Sequence, residues 1–223
     1  MVGQGISEAQ KSYPANIHYF NFGQNGKGEI ITDKFGPEKS LTDELADYKP
    51  GLHRPKFLLK YAIGGSSLLD WAPDYSHEKA KITGNERFGN MFETFFQYLD
   101  PIREEYNPEI KALLWMQGER DARIPEAGKD YYANFKKFIE EFRKRLGDEN
   151  LPIIFARVNP PIERYAALEI VNEAQRRIAE EMENVYMIET EGLAKYEDEV
   201  HYNSEGQIEL GKRFAEELLK HLE

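Results

Sequence analysis

Short apolar runs alternate along this chain with longer segments whose apolar residues recur every three to four positions. The short runs are "NIHYFNF" at 16–22, "KFLLKYAI" at 56–63, "KALLWMQ" at 111–117, "LPIIFARV" at 151–158 and the weaker "NVYMIE" at 184–189. Their length and their content of branched and aromatic residues predict four or five strands. Between them, helical spacing is kept by Phe88, Phe92, Phe95 and Leu99, by Phe135, Phe138 and Phe142, by Val171, Ala174, Ile178 and Met182, and by Phe214, Leu218 and Leu222. Each set predicts the buried stripe of a helix that covers a sheet. Strands and helices in alternation predict βα units around a parallel sheet, in one domain over 1–223. Gly147 is expected to cap the C-terminus of a helix, and Asn203 or Ser204 to open the last one. The stretches at 23–35 and 70–85, rich in Gly, Asp, Lys and Pro, are expected to be loops.

Composition narrows the partners. At 223 residues the chain suffices for one sizeable α/β core. A net charge of −11 argues against nucleic acid and anionic membrane, which both require clustered Lys and Arg. With no cysteine, disulfides, thiolate metal sites and cysteine nucleophiles are excluded, and no metal site is expected. No apolar run reaches membrane-spanning length, and the opening "MVGQGISEAQ" is too polar for a signal peptide.

In parallel sheets ligands bind where strands end, which directs attention to three loops. The second run is followed by "GGSSLLDW", where Gly64 and Gly65 let backbone N–H groups approach a developing negative charge, or simply make a tight turn. The third is followed by "QGERDA": Gln117 offers a side-chain amide to an oxyanion, while Glu119 and Asp121 fit the start of a solvated helix. The last is followed by "DEVHYN", with Asp198 three residues before His201. Imidazole held in one tautomer by a carboxylate takes a proton from a hydroxyl and later returns it. Taken singly, His201 reads more readily as a surface or satisfied structural histidine than as a catalytic one, but three strand-end loops that each offer a different catalytic part weigh more together. Trp71 and Tyr75 suit sugar stacking, and a packed loop accounts for Trp71 as well. His18, His53, His77 and His221 fall in no catalytic pattern, and the Lys and Glu alternation at 126–146 and 205–222 reads as solvated helix faces.

The blocks "GPE" at 36–38, "YAIGGSSLLDW" at 61–71, "WMQGERDA" at 115–122, "NEAQ" at 172–175 and "DEVHYNSEGQIELGKRFA" at 198–215 together resemble the sialate O-acetylesterase-type domain, carbohydrate esterase family 6 of the SGNH hydrolase superfamily. The resemblance runs through nearly the whole chain. It implies a flavodoxin-like three-layer α/β/α sandwich and hydrolysis of acetyl esters on sugars by a serine, with no cofactor. Carried over residue by residue, it implies Asp198 and His201 as acid and base, Gly65 or Gly64 as the backbone oxyanion donor, Gln117 as the side-chain donor and Glu119 as a rival acid. Gly64 and Trp71 are further substrate-binding candidates.

The family's first block, a strand ending in G-Q-S-N-M-V-G, carries the nucleophilic serine, and this chain begins with "MVGQG". The resemblance therefore implies a chain short of its first strand and nucleophile, with the strand at 16–22 deprived of a neighbour. Ser66, Ser67 and Ser204 sit in no nucleophile motif. Three classes of function follow: an acetylesterase domain without its first block, a non-catalytic carbohydrate-binding relative, and a nucleotide-binding module, the last disfavoured by the lack of a Gly-rich phosphate loop. An uncovered sheet also predicts self-association. Neither the particular sugar nor the cellular location is readable, although members of the family are often extracellular or periplasmic.

Overall fold

The computed structural model describes residues 17–22, 36–48 and 55–222. All five expected strands form among them: β1 (Ile17–Asn21), β2 (Lys56–Lys60), β3 (Leu113–Trp115), β4 (Ile153–Ala156) and β5 (Val185–Ile188). Every pairing is parallel. β1 lies beside β2 in the register Ile17↔Lys56 to Asn21↔Lys60, and β4 lies between β3 and β5. Among the described residues β1 pairs with β2 along its whole length and with no other strand. On that edge the strand N–H and C=O groups are satisfied. The helices are α1 (Glu38–Ala46), α2 (His77–Thr83), α3 (Met91–Tyr106), α4 (Glu119–Arg123), α5 (Pro125–Gly128), α6 (Tyr131–Leu146), α7 (Leu168–Glu181) and α8 (Ser204–Leu219). A mixed α/β fold with parallel sheets and flanking helices is what the alternating pattern predicts.

Local chemistry explains where the elements begin and end. Asn203, rather than Ser204, caps α8, its side chain accepting from Gly206 N at 3.0 Å. Gly147 closes α6 with φ +74°. Within the stretch 70–85 the expected loop contains α2, capped by Ser76 at its start and by Gly84, φ +67°, at its end. Only seven residues long, α2 has too few apolar positions to show a stripe, so its caps were its sole signal. Phe88 lies in a 3₁₀ turn before α3, and Met182 and Leu222 lie just past the ends of their helices. The expected loop at 23–35 lies outside the described residues, as does His53.

The described residues divide into two compact units, the first drawn from 17–64, 102–108 and 192–222 and the second from 65–101 and 109–191. In the first, α1 crosses α8 so closely that a Cβ on Gly211 would sit 2.0 Å from Pro37 O and 2.1 Å from Ser40 Oγ. The Ser40 hydroxyl donates across that crossing to Ile208 O at 2.7 Å. Beneath it, Glu38 of the "GPE" block accepts from Tyr19 Oη and from Lys60 Nζ at 2.8 Å, tying α1 to both strands.

The second unit is built on rings. Trp71, Trp115, Phe92, Phe96, Phe138 and Phe142 are all buried and pack in tilted or edge-on pairs with centroids 4.5 to 6.4 Å apart, while buried Phe135 stacks on Trp115 and Phe138 at 6.3 Å. Such geometry adds to the gain from burial alone. Arg143, 7 % exposed, ends α6 by donating to the carbonyls of Leu151, Glu183 and Asn184 at 2.8 to 3.0 Å, which fixes the entries to β4 and β5.

Candidate active site

His201 stands on a short turn between β5 and α8. Tyr196 N donates to His201 O, Asn203 N donates to Ala194 O, and Lys195 bridges Tyr202, so residues 194–203 close on themselves. Within the turn, Asp198 Oδ1 accepts from the backbone N–H of both Val200 and His201 at 3.0 Å, and Oδ2 meets His201 Nδ1 at 2.5 Å. Glu199 takes the left-handed conformation, φ +59°, that lets the chain bend back around the carboxylate. The His201 side chain, followed by the two backbone donors, holds the Asp198 carboxyl well below its ordinary range. A charged Asp198 requires the proton of a neutral imidazole to sit on Nδ1. That leaves Nε2 as the acceptor, on a ring 77 % exposed. This is the arrangement a general base needs.

The loop after β2 is fixed in the second unit by a buried polar network. Gly65 adopts φ +76°, and its carbonyl accepts from Asn85 Nδ2 at 3.0 Å. Ser66 O accepts from Gln117 Nε2 at 3.0 Å. Ser67 N donates to Asp70 Oδ2 at 2.7 Å, and that same oxygen accepts from Asn85 Nδ2 at 2.7 Å. The Ser67 hydroxyl and Leu68 N both donate to Asp121, at 2.9 and 3.1 Å. Gly65 N and Ser66 N hold no partner among the described residues, and Gly64 and Gly65 are exposed. Two adjacent free N–H groups on a rigid turn form a receptor for negative charge.

Gln117 departs from its expected role. Both of its amide hydrogens are committed, one to Ser66 O and the other to Asp121 Oδ2 at 2.6 Å. Rotating the amide would set its oxygen against the Asp121 carboxylate, so this orientation is enforced. Gln117 is therefore a brace for the loop and not a free oxyanion donor. The backbone beneath it is held as tightly: Gln117 O accepts from Tyr131 Oη at 2.8 Å and from Gln175 Nε2 at 3.4 Å, which gives the "NEAQ" block its structural part. Gly118 is required here, with φ +147° and Val158 Cγ1 and Tyr131 Oη within 3.2 Å of where a Cβ would stand.

Two further expectations change. Asp121 is fully buried rather than at the start of a solvated helix, because its carboxylate finds hydroxyl and N–H donors inside the unit. Trp71 is 5 % exposed and packs edge-on against Trp115 at 5.0 Å, so its ring face is spent on the core and not on a sugar. Asp70 and Asn85, both buried, went unremarked in the sequence. The four-residue interval from Gln117 to Asp121 sets those two side chains on one face of the turn into α4, whereas no such local spacing joins Asp70 to Asn85. Burial pushes the Asp70 and Asp121 carboxyls up to about 6 each, against the donors that pull them down.

Asp198, His201 and Gly64 belong to the first unit, whereas Gly65, Trp71, Gln117 and Glu119 belong to the second. Asp198 is the carboxylate on His201 Nδ1, and Glu119 opens α4. Among the described residues no group of three or more His, Asp or Glu is placed to hold a metal ion. The surface hollow of about 390 Å³ beside Tyr132 and Ile170 contains none of these residues.

The described residues thus show a parallel α/β fold with an Asp-x-x-His turn before α8 and a glycine turn after β2. Residues 8–220 match the family described as carbohydrate esterase, sialic acid-specific acetylesterase, and the chain belongs to it. A probable carbohydrate esterase of Arabidopsis thaliana is 27 % identical over 162 residues, which are 73 % of this chain and 55 % of that protein. The chain thus spans about half the length of that curated relative. A solved Arabidopsis thaliana structure superposes with a TM-score of 0.71 at 22 % identity, covering 91 % of this chain and 80 % of the other. A carbohydrate acetylesterase from Xanthomonas citri gives 0.64 at 15 % identity, with 95 % and 51 % covered. A family 3 carbohydrate esterase from Talaromyces cellulolyticus gives 0.54 at 14 % identity, with 91 % and 96 % covered.

Proposed function

We propose that this chain serves the hydrolysis of acetyl esters on a carbohydrate, with His201 as general base, Asp198 as the carboxylate that orients it, and Gly65 N–H as oxyanion donor, joined by Ser66 N–H. The observation that carries the reading is the Asp198 contact to His201 Nδ1 within a turn whose backbone also clasps the carboxylate. In the reaction, Nε2 takes the proton of an attacking serine hydroxyl. The ester carbonyl becomes a tetrahedral oxyanion, and the imidazolium returns its proton to the departing sugar oxygen. Water then repeats the sequence on the acetyl-serine and frees acetate.

The serine belongs, on this reading, to a G-Q-S-N block, which these 223 residues do not contain. Serines near the loop are poor substitutes: Ser67 is buried with its hydroxyl given to Asp121, and Ser66 Oγ accepts from Trp71 Nε1. With Ser66 and Ser67 so engaged, a second reading is a relative that binds acetylated sugar without turning it over. The test compares the 223-residue chain with the same chain preceded by a strand ending in G-Q-S-N, assaying acetate release from acetylated xylan and O-acetylated sialic acid. Expected is release by the extended chain only, reduced roughly 10⁴-fold or more by His201→Ala. A folded extended chain that binds acetylated sugar and releases no acetate would establish the second reading instead.

A further inference from the structure

Asp70, Asn85 and Asp121 do more than fill the interior, because of which peptide groups they hold. A trans peptide points its C=O and N–H in opposite directions, so tying down one aims the other. In the Gly65–Ser66 peptide the carbonyl is tied to Asn85 Nδ2, and the free Ser66 N–H is thereby aimed away from it. The next peptide is held at both ends, its carbonyl by Gln117 and its Ser67 N–H by Asp70. In the third, Ser67 O accepts from Asp70 N, and Leu68 N–H donates to Asp121. Three successive peptide planes are thus locked, the first of which carries the open Ser66 N–H.

The locks share one anchor. Asp70 Oδ2 accepts from Ser67 N and from Asn85, so the side chain that aims Ser66 N–H is itself set by a buried carboxylate. Helix α4 holds the other side: Asp121 and Gln117 grip residues 66–68, while Arg120 Nε donates to Thr83 O at 3.1 Å, two residues before Asn85. Asn85 and Asp121 are 3 % and 0 % exposed.

We infer that Asn85 and Asp121, joined through Asp70 and Ser67, are positioning residues that hold the Ser66 N–H group, beside the open Gly65 N–H, at the geometry of an oxyanion site. The inference rests on the esterase reading above. It also distinguishes the two carboxylates. Asp70 Oδ1 is buried without a partner, so an amide there keeps every bond made by Oδ2. Both oxygens of Asp121 are used, and an alanine there abandons the Ser67 hydroxyl, Leu68 N–H and one Gln117 hydrogen together.

The test uses the ¹⁵N-labelled 223-residue chain and sodium acetate, read by the amide resonances of Gly65 and Ser66. In the parent chain acetate is expected to move both amides downfield. Asn85→Ala is expected to weaken that binding about tenfold or more, and Asp121→Ala to do the same wherever it folds. Asp121→Asn and Asp70→Asn, which preserve most or all of the bonds, are expected to stay within about twofold of the parent. A folded Asn85→Ala chain that binds acetate like the parent, with the same amide shifts, overturns the positioning role alone. Acetate that leaves both amides of the parent unmoved overturns the oxyanion role of the loop, and this inference with it.

Discussion

Asp198 and Asp121 are the same side chain in opposite surroundings. Each accepts from two kinds of donor, a backbone N–H and a side chain. Asp198 lies at the surface, so its donors act against almost no desolvation and its carboxyl stays well below the ordinary range. Asp121 is fully buried, and desolvation outweighs a comparable set of donors, raising it to about 6. The number of hydrogen bonds does not decide the sign; access to water does. A group whose partner must gain and lose a proton in each turnover benefits from solvent, and a group that fixes backbone does not. On the proposed reading the exposed pair serves proton transfer, while the buried carboxylate holds backbone in place.

The comparison breaks most severely at Asp121. Replacing it by alanine strands two buried donors and a Gln117 hydrogen, and each unsatisfied group costs on the order of 1–3 kcal/mol, offset in part by the lost desolvation penalty. A loss of about 3 kcal/mol in urea unfolding is expected. A loss below about 1 kcal/mol would show that the network is loosely coupled to the fold. Next comes Gly118→Ala, which adds a methyl where φ is +147° and where Val158 and Tyr131 stand within 3.2 Å. About 2 kcal/mol is expected from the backbone strain, and a variant as stable as the parent would mean that the 117–118 turn relaxes freely.

How far this was readable from the sequence depends on the kind of signal. All five strands and the long helices were legible because burial leaves a period of apolar residues. The Asp198 and His201 pair was legible because a turn places residues three apart side by side. Asp70, Asn85 and Asp121 were not, because the bonds that build their network, from Asn85 to Asp70 and from Ser67 to Asp121, span 15 and 54 positions of the chain. A polar residue in a helix start also reads as solvated until something buries it. Trp71 was ambiguous for a related reason: an aromatic suited to a sugar is equally suited to another tryptophan.

A smaller effect sharpens the contrast through pH. Below about pH 6 the folded chain holds protons on Asp70 and Asp121 that an unfolded carboxylate, near 3.8, releases. Between about pH 4 and 6 the native state therefore binds more protons, and these two groups make stability fall as pH rises. The groups facing them are one another, Arg120 beside Asp70, and Tyr75 and Tyr131, both of which are themselves raised. Asp198 runs in the opposite sense, its contribution present above the ordinary carboxylate range and lost as acid protonates it. Asp70→Asn removes one of the two raised groups while keeping its bonds. The fall in urea midpoint between pH 4 and 6 is expected to be shallower in that variant, and an unchanged slope would place the proton uptake elsewhere.

Asp198→Asn has the smallest expected effect on the fold and a large one on chemistry. Its oxygen still accepts from Val200 and His201 N–H, and the turn is also held by the Tyr196 and Asn203 backbone bonds, so the thermal midpoint is expected to hold. An amide NH₂ facing Nδ1, however, favours the imidazole tautomer with its proton on Nε2, the atom that must accept one from the serine. Turnover in the chain extended with G-Q-S-N is then expected to drop by roughly 10⁴-fold with little change in KM. If Asp198→Asn turned over normally while Glu119→Gln did not, the acid would be Glu119, and the exposed pair would be a turn-forming contact and nothing more. If neither variant lost activity, no carboxylate would be needed to orient His201.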